Sequence, residues 1–248
     1  MGVSGAPPLR APDEQGFARA PDGADIRWRR FGSGERALLL LHGNGEDYTC
    51  FRNQIGAFSA RFSVVAVDSR GHGESGRGAG VTLRRMADDA ALALEAAGFR
   101  RADLVGFSDG ANVGIHFALL HPDRLGKLVL AGGNLCPAGV KPSAQLPIEL
   151  GARVCRLLGR FSARARKNGE ILALMTDEPR FDPAELAAVR APTLVLAGDR
   201  DLIRPEHTAL IAASIPGARL RTVRHSDHFI FRNQPVQVNR LILDFLEE

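Results

Sequence analysis

The sequence predicts an α/β fold, a mostly parallel central sheet with helices on both faces and a short helical insertion. Three observations lead there. Short continuous apolar runs recur along the chain, as in strands buried on both faces. Segments with helical spacing alternate with them, which calls for crossover connections and therefore parallel neighbours. One strand-to-helix junction, Gly106-Phe107-Ser108-Asp109-Gly110, has the composition of a sharp, strained turn that leaves a serine hydroxyl exposed above the sheet.

The elements follow in order. Residues 1–15 are rich in Pro, Gly and charge and read as a flexible tail. Residues 17–20 and 24–31, joined by Pro21-Asp22-Gly23, read as a hairpin at one sheet edge. The runs 37–41 and 62–67 are buried strands, with a helix over 50–60 between them. Over 81–98, Leu83, Met86, Ala90, Leu92 and Leu94 fall near helical spacing, and Gly98 stops the helix. After the serine turn come a helix over 111–121, ended by Pro122, and a strand over 127–131. Residues 192–197, 205–215, 219–223 and 236–246 continue the strand and helix alternation.

Residues 134–183 break that rhythm and are too long for a simple loop. They are expected to form a small helical lid inserted into a core made of 16–133 and 184–248. Within the lid, Val154, Leu157, Leu158 and Phe161 are spaced as one apolar helix side, with Arg153, Arg156, Arg160 and Arg164 on the other. A solvated basic face is the plain reading of those arginines. Attraction of an anionic substrate or surface is the sharper one.

Composition bounds the function. A chain of 248 residues with 45% hydrophobic residues can build a full core. Its net charge of +4 does not suggest a nucleic-acid partner, because the basic residues are nearly all arginine, with lysine only at Lys127, Lys141 and Lys167, a skew expected of genome composition. Cys50, Cys136 and Cys155 show neither disulfide nor zinc spacing. No apolar run reaches the length of a membrane span, and the N-terminal stretch has no apolar signal segment. The expectation is a cytoplasmic protein that needs no metal or organic cofactor; the oligomeric state stays open.

A serine hydroxyl is a weak nucleophile until an imidazole takes its proton and a carboxylate holds the imidazole in the right tautomer. Candidates for both lie at strand ends. Asp201, in Gly198-Asp199-Arg200-Asp201, follows the strand at 192–197, with Asp199 as its rival. His228 precedes the last helix, with His225 as its rival, and Phe229 and Ile230 are placed to pack and aim its ring. His116 reads as a packed helical histidine, His121 as a helix end and His207 as part of a helix start.

The chain order Ser108, Asp201, His228, together with His42-Gly43-Asn44-Gly45 and Asp68-Ser69-Arg70-Gly71-His72-Gly73-Glu74-Ser75, resembles the α/β-hydrolase superfamily over nearly everything after the tail. The resemblance implies an oxyanion hole formed by the backbone N–H groups of Asn44 and Asp109. It implies a structural role for the block around His72. It also makes Asp201 the acid, since the alternative position after the sixth strand holds Asn134. The Ser-Asp-Gly turn further resembles that of hydrolases accepting amino-acid esters, where the carboxylate of Asp109 could meet a substrate amine; otherwise the side chain would point outward. The expected activity is cleavage of a small carboxylic ester through an acyl-enzyme on Ser108. Thioester, amide and C–C bond hydrolysis, perhydrolysis, and ligand sensing without turnover use the same residues. Dehalogenase and epoxide hydrolase chemistry is disfavoured, because the resemblance puts a carboxylate at the nucleophile position in those groups and this chain has Ser108 there.

Overall fold

A computed structural model of the chain describes residues 9–248. Eight strands, β1 (Glu14–Arg19), β2 (Asp25–Phe31), β3 (Ala37–Leu41), β4 (Ser63–Val67), β5 (Ala102–Phe107), β6 (Leu125–Ala131), β7 (Thr193–Gly198) and β8 (Arg219–Val223), form one sheet in the order β1-β2-β4-β3-β5-β6-β7-β8. β2 pairs antiparallel with β1 and β4, and every other pairing is parallel. The parallel strands therefore all end on one side of the sheet, which is where side chains from distant parts of the chain can meet.

The expected alternation holds, with shifted ends. The first strand starts at Glu14, inside the stretch expected to be a tail, and Leu9 already packs against the core. Residues 1–8, the remainder of that tail, lie outside the described residues. The helices of the core are α1 (Arg52–Ser59), α2 (Leu83–Ala96) and α3 (Asp109–Leu120). Thr82 caps α2 by accepting from the Arg85 N–H, and Gly98, at φ +90°, ends that stretch as expected. α3 begins two residues before the predicted start, directly after Ser108.

Between β6 and β7 the insertion forms two helices, α4 (Pro142–Leu158) and α5 (Ala163–Thr176). The core then resumes with α6 (Pro205–Ser214), the short α7 (Ile230–Asn233) and α8 (Pro235–Glu247). Along each central strand, side chains alternate between two buried layers. Leu39, Leu41, Val65, Leu104 and Leu130 face α2 and α3, while Leu38, Leu40, Val64, Val105 and Val129 face α1 and α8.

The block 68–75 is tied into the fold by buried ion pairs and backbone bonds. Asp68 accepts from the backbone N–H groups of Tyr48 and Glu74 and pairs with buried Arg29 at 2.9 Å. Arg70 grips Asp89 through two nitrogens, at 2.6 and 2.7 Å, and reaches Asp22. Those fully satisfied ion pairs tie the β4–α2 loop to the hairpin edge. In contrast, the apolar side of α4 is not buried: Val154, Leu157, Leu158 and Phe161 are all exposed. Helical spacing marks an apolar face but does not say what covers it, and α4 turns Gln145 and Ala152 inward instead.

Candidate active site

Ser108 sits on the turn between β5 and α3 with φ +54°, a conformation that non-glycine residues hold only at a cost of about 1–3 kcal/mol. Its neighbours make that turn possible. A side chain at Gly106 would run into the backbone of Gly110, and one at Gly110 into the carbonyl of Leu41, so both glycines serve close approach. The Ser108 N–H donates to the Ala131 carbonyl at 2.8 Å, fixing the turn to β6.

Three of the residues singled out in the sequence meet here. His228 Nε2 lies 2.9 Å from Ser108 Oγ, and His228 Nδ1 lies 2.7 Å from Asp201 Oδ1. Asp201 also accepts from the N–H groups of Ile203 at 3.0 Å and Gly198 at 3.2 Å. Burial works to raise its carboxyl, but the bond and charge of His228 and those two amides outweigh it and hold the carboxyl below its usual value. The acid is thus ionised and aimed at the imidazole. The rivals are otherwise employed: Asp199 accepts from the N–H groups of His225 and Ser226, holding the turn, and His225 is exposed on its far side. Phe107 and Phe229 flank the His228 ring, with centroids 5.0 and 5.7 Å away.

The loop after β3 approaches Ser108 from the other side. His42 donates from Nδ1 to the Gly43 carbonyl at 2.7 Å and accepts at Nε2 from the Ser69 N–H at 2.9 Å. Full burial lowers its pKa, which keeps it neutral and able to play both parts. The backbone N–H groups of Asn44 and Asp109 have no hydrogen-bond partner among the described residues. Asp109 is the first residue of α3, where the helix dipole favours negative charge.

The side chain of Asp109 does not point outward. It is buried, and its two oxygens accept from Asn44 Nδ2 at 2.8 Å and Asn112 Nδ2 at 3.4 Å. A substrate amine would have to displace an asparagine amide to reach it. Burial, opposed by those two donors, pushes its carboxyl up to about 6. Asn112 in turn exchanges two hydrogen bonds with Asn134, at 2.9 and 3.0 Å. Asn44 Nδ2 also donates to the Ile171 carbonyl at 2.9 Å, so one side chain joins the β3 loop, the serine turn and α5.

Several of these groups were not singled out from the sequence. Gly132, at φ +65°, leaves room for the imidazole: a Cβ there would come within 2.7 Å of His228 Cε1. Glu46 accepts from the Gly43 N–H at 3.2 Å and lines a cavity of about 360 Å³ with Arg52, Phe107, Phe229 and Arg232. Burial raises the Glu46 carboxyl. The glycine after a strand was a usable signal for Gly132. For Glu46 and Asn112 there was none, since each acquires its role from chain segments far away in sequence.

Among the described residues no helix is long and apolar enough to cross a membrane. A family model described as alpha/beta hydrolase fold matches residues 36–178. The chain is 28% identical to "Serine hydrolase BPHL" of Mus musculus, over 92% of this chain and 85% of the relative. Among solved structures it is similar to a hydrolase from Pseudomonas aeruginosa PA01, with 30% identity, a TM-score of 0.76 and coverage of 95% and 99% of the two chains. A thermophilic esterase from Thermogutta terrifontis, solved with malate bound, gives 27% identity, a TM-score of 0.78 and coverage of 94% and 98%.

Proposed function

The chain belongs to the α/β hydrolase fold family, and from that premise we propose that it is a serine hydrolase that cleaves small carboxylic esters through an acyl-enzyme on Ser108. The observation that carries this reading is the hydrogen-bonded relay from Asp201 through His228 to Ser108 Oγ, at 2.7 and 2.9 Å. Names among the relatives, a serine hydrolase and an esterase, support the class.

In the first half-reaction His228 Nε2 takes the proton from Ser108 Oγ as the oxygen adds to the acyl carbon, and ionised Asp201 stabilises the imidazolium. The carbonyl oxygen becomes negative and rests on the N–H groups of Asn44 and Asp109. One such donor is typically worth about 3 kcal/mol in the transition state. His228 then returns its proton to the departing alcohol. In the second half-reaction it deprotonates a water that attacks the acyl-enzyme, and the serine leaves with that proton. The cavity beside Phe107 and Phe229 is large enough for a small substrate group.

The test is a panel of nitrophenyl esters varying in acyl length and charge, run on wild type and Ser108→Ala beside a fluorophosphonate label. Repeated turnover and stoichiometric labelling of wild type are expected, with kcat falling about 10⁴- to 10⁶-fold in the variant. Wild-type-like rates in Ser108→Ala would overturn the assignment, and a burst that stops at one equivalent would favour a sensor.

A further inference from the structure

The face of α4 that the core leaves uncovered carries Leu146, Leu150, Val154, Leu157 and Leu158, and the following turn adds Phe161. Leu150 and Leu157 are each 64% exposed and Phe161 is 88% exposed. From Leu146 to Phe161 the stripe runs roughly 20 Å at helical rise. Six large apolar side chains in one exposed row exceed the scattered singles of an ordinary surface.

Charge narrows what could cover them. Between Leu150 and Gly169 the chain has Arg153, Arg156, Arg160, Arg164, Arg166 and Lys167, and no Asp or Glu. At about 100° per residue, Arg153 borders the stripe and Arg156 lies toward the far side of α4, while Arg160 stands in the turn beside Phe161. Arg156 has a distant partner in Asp177, at 3.9 Å; Arg153, Arg160, Arg164, Arg166 and Lys167 form no ion pair among the described residues. All six cations are exposed. A second copy of the chain docking through this face would set the same cations against themselves, since a twofold contact pairs a patch with its own image. An apolar row rimmed by unpaired arginines fits instead a surface that is apolar within and negative at its rim.

We propose that the α4–α5 hairpin docks on an anionic lipid surface, with Leu150, Leu157 and Phe161 entering the headgroup boundary and Arg153, Arg160 and Arg164 meeting the lipid charges. Docking of this kind leaves the protein peripheral. It places α5, which the Asn44 side chain ties to the serine turn, next to the membrane. The proposal concerns binding and stands apart from the reaction assigned to Ser108.

Flotation of the full chain with phosphatidylglycerol vesicles and with phosphatidylcholine vesicles tests it. Partition onto the anionic vesicles should be at least about tenfold stronger and should weaken with salt. The double variant Leu157→Asp/Phe161→Asp should lose it, and Arg153→Gln/Arg160→Gln/Arg164→Gln should reduce it about tenfold or more. These positions are exposed, so circular dichroism should match wild type. Equal partition on the two lipids, or none on either, overturns the proposal. So does a dimer in lipid-free buffer that the double Asp variant dissolves, which would assign the face to a second copy.

Discussion

The serine floor and the helical hairpin above it are held by different physics. The floor is made of strand ends whose backbone is paired on both sides, and its glycines let segments pass where any side chain would collide. The hairpin is joined to the rest by Leu174, buried in the core layer that faces α2 and α3, and by two polar ties, Asn44 to the Ile171 carbonyl and Arg77 to Glu170. Its two helices meet through small residues, with Gly151 against Leu172 and Gly169 against Cys155. The floor therefore fixes angles and distances, while the hairpin reaches the serine turn through the single side chain of Asn44.

The largest effect that would sharpen this contrast is expected at Asp201. Asp201→Asn keeps the shape but favours the wrong imidazole tautomer, and kcat on a nitrophenyl ester should fall about 10⁴-fold with KM little changed. Next comes Gly132→Ala. The added Cβ must both hold φ +65° and push the His228 ring aside, so a loss near 10²-fold in kcat is expected. A variant as active as wild type would show the floor to be more forgiving than its packing suggests.

Asn44→Ala keeps the backbone N–H but cuts the side-chain ties to Asp109 and α5. A drop of about tenfold, mostly in kcat, is expected if those ties hold the loop for the oxyanion. A change confined to KM would place Asn44 with the hairpin instead.

Asp109 offers a reading in stability. Its carboxyl keeps its proton up to about 6 in the fold, above the ordinary 3.8, so the folded chain binds that proton more tightly than the unfolded one. The contribution is favourable below pH 4 and is lost as pH rises toward 6, leaving an ionised, buried carboxylate at neutral pH. The stability of Asp109→Asn relative to wild type should therefore rise by about 2 kcal/mol between pH 4 and pH 7.5, on top of a pH-independent cost of turning an amide NH2 toward one of the two asparagine donors. Burial lowers His72 and His116 to about 4, and these histidines act oppositely in the same window. The difference between variant and wild type, measured by urea unfolding at each pH, is thus the quantity to follow. The smallest effect belongs to the hairpin's outer face: Leu157→Asp/Phe161→Asp should change turnover of a soluble ester by less than about twofold.

The same contrast explains what could be read from the chain alone. The serine turn, the strand runs and the loops bearing Asp201 and His228 are written locally, in glycines and apolar runs, and the structure brings those three side chains together. The partnership of Asp109 with Asn44, Asn112 and Asn134 is not local. It depends on β3, α3 and the end of β6 arriving at one place, and nothing in the spacing of those residues announces it. The stripe on α4 was visible as a pattern, but exposure is a property of what stands beside a helix, and that is fixed by tertiary packing.

Asn44 carries two duties on one residue. Its main-chain N–H is left without a partner among the described residues, and its side-chain amide hangs from α5 through the Ile171 carbonyl. If that free N–H serves the proposed reaction, whatever lifts α5 pulls on the same residue, and crowding above the hairpin would register in the rate constant as well as in the grip on substrate.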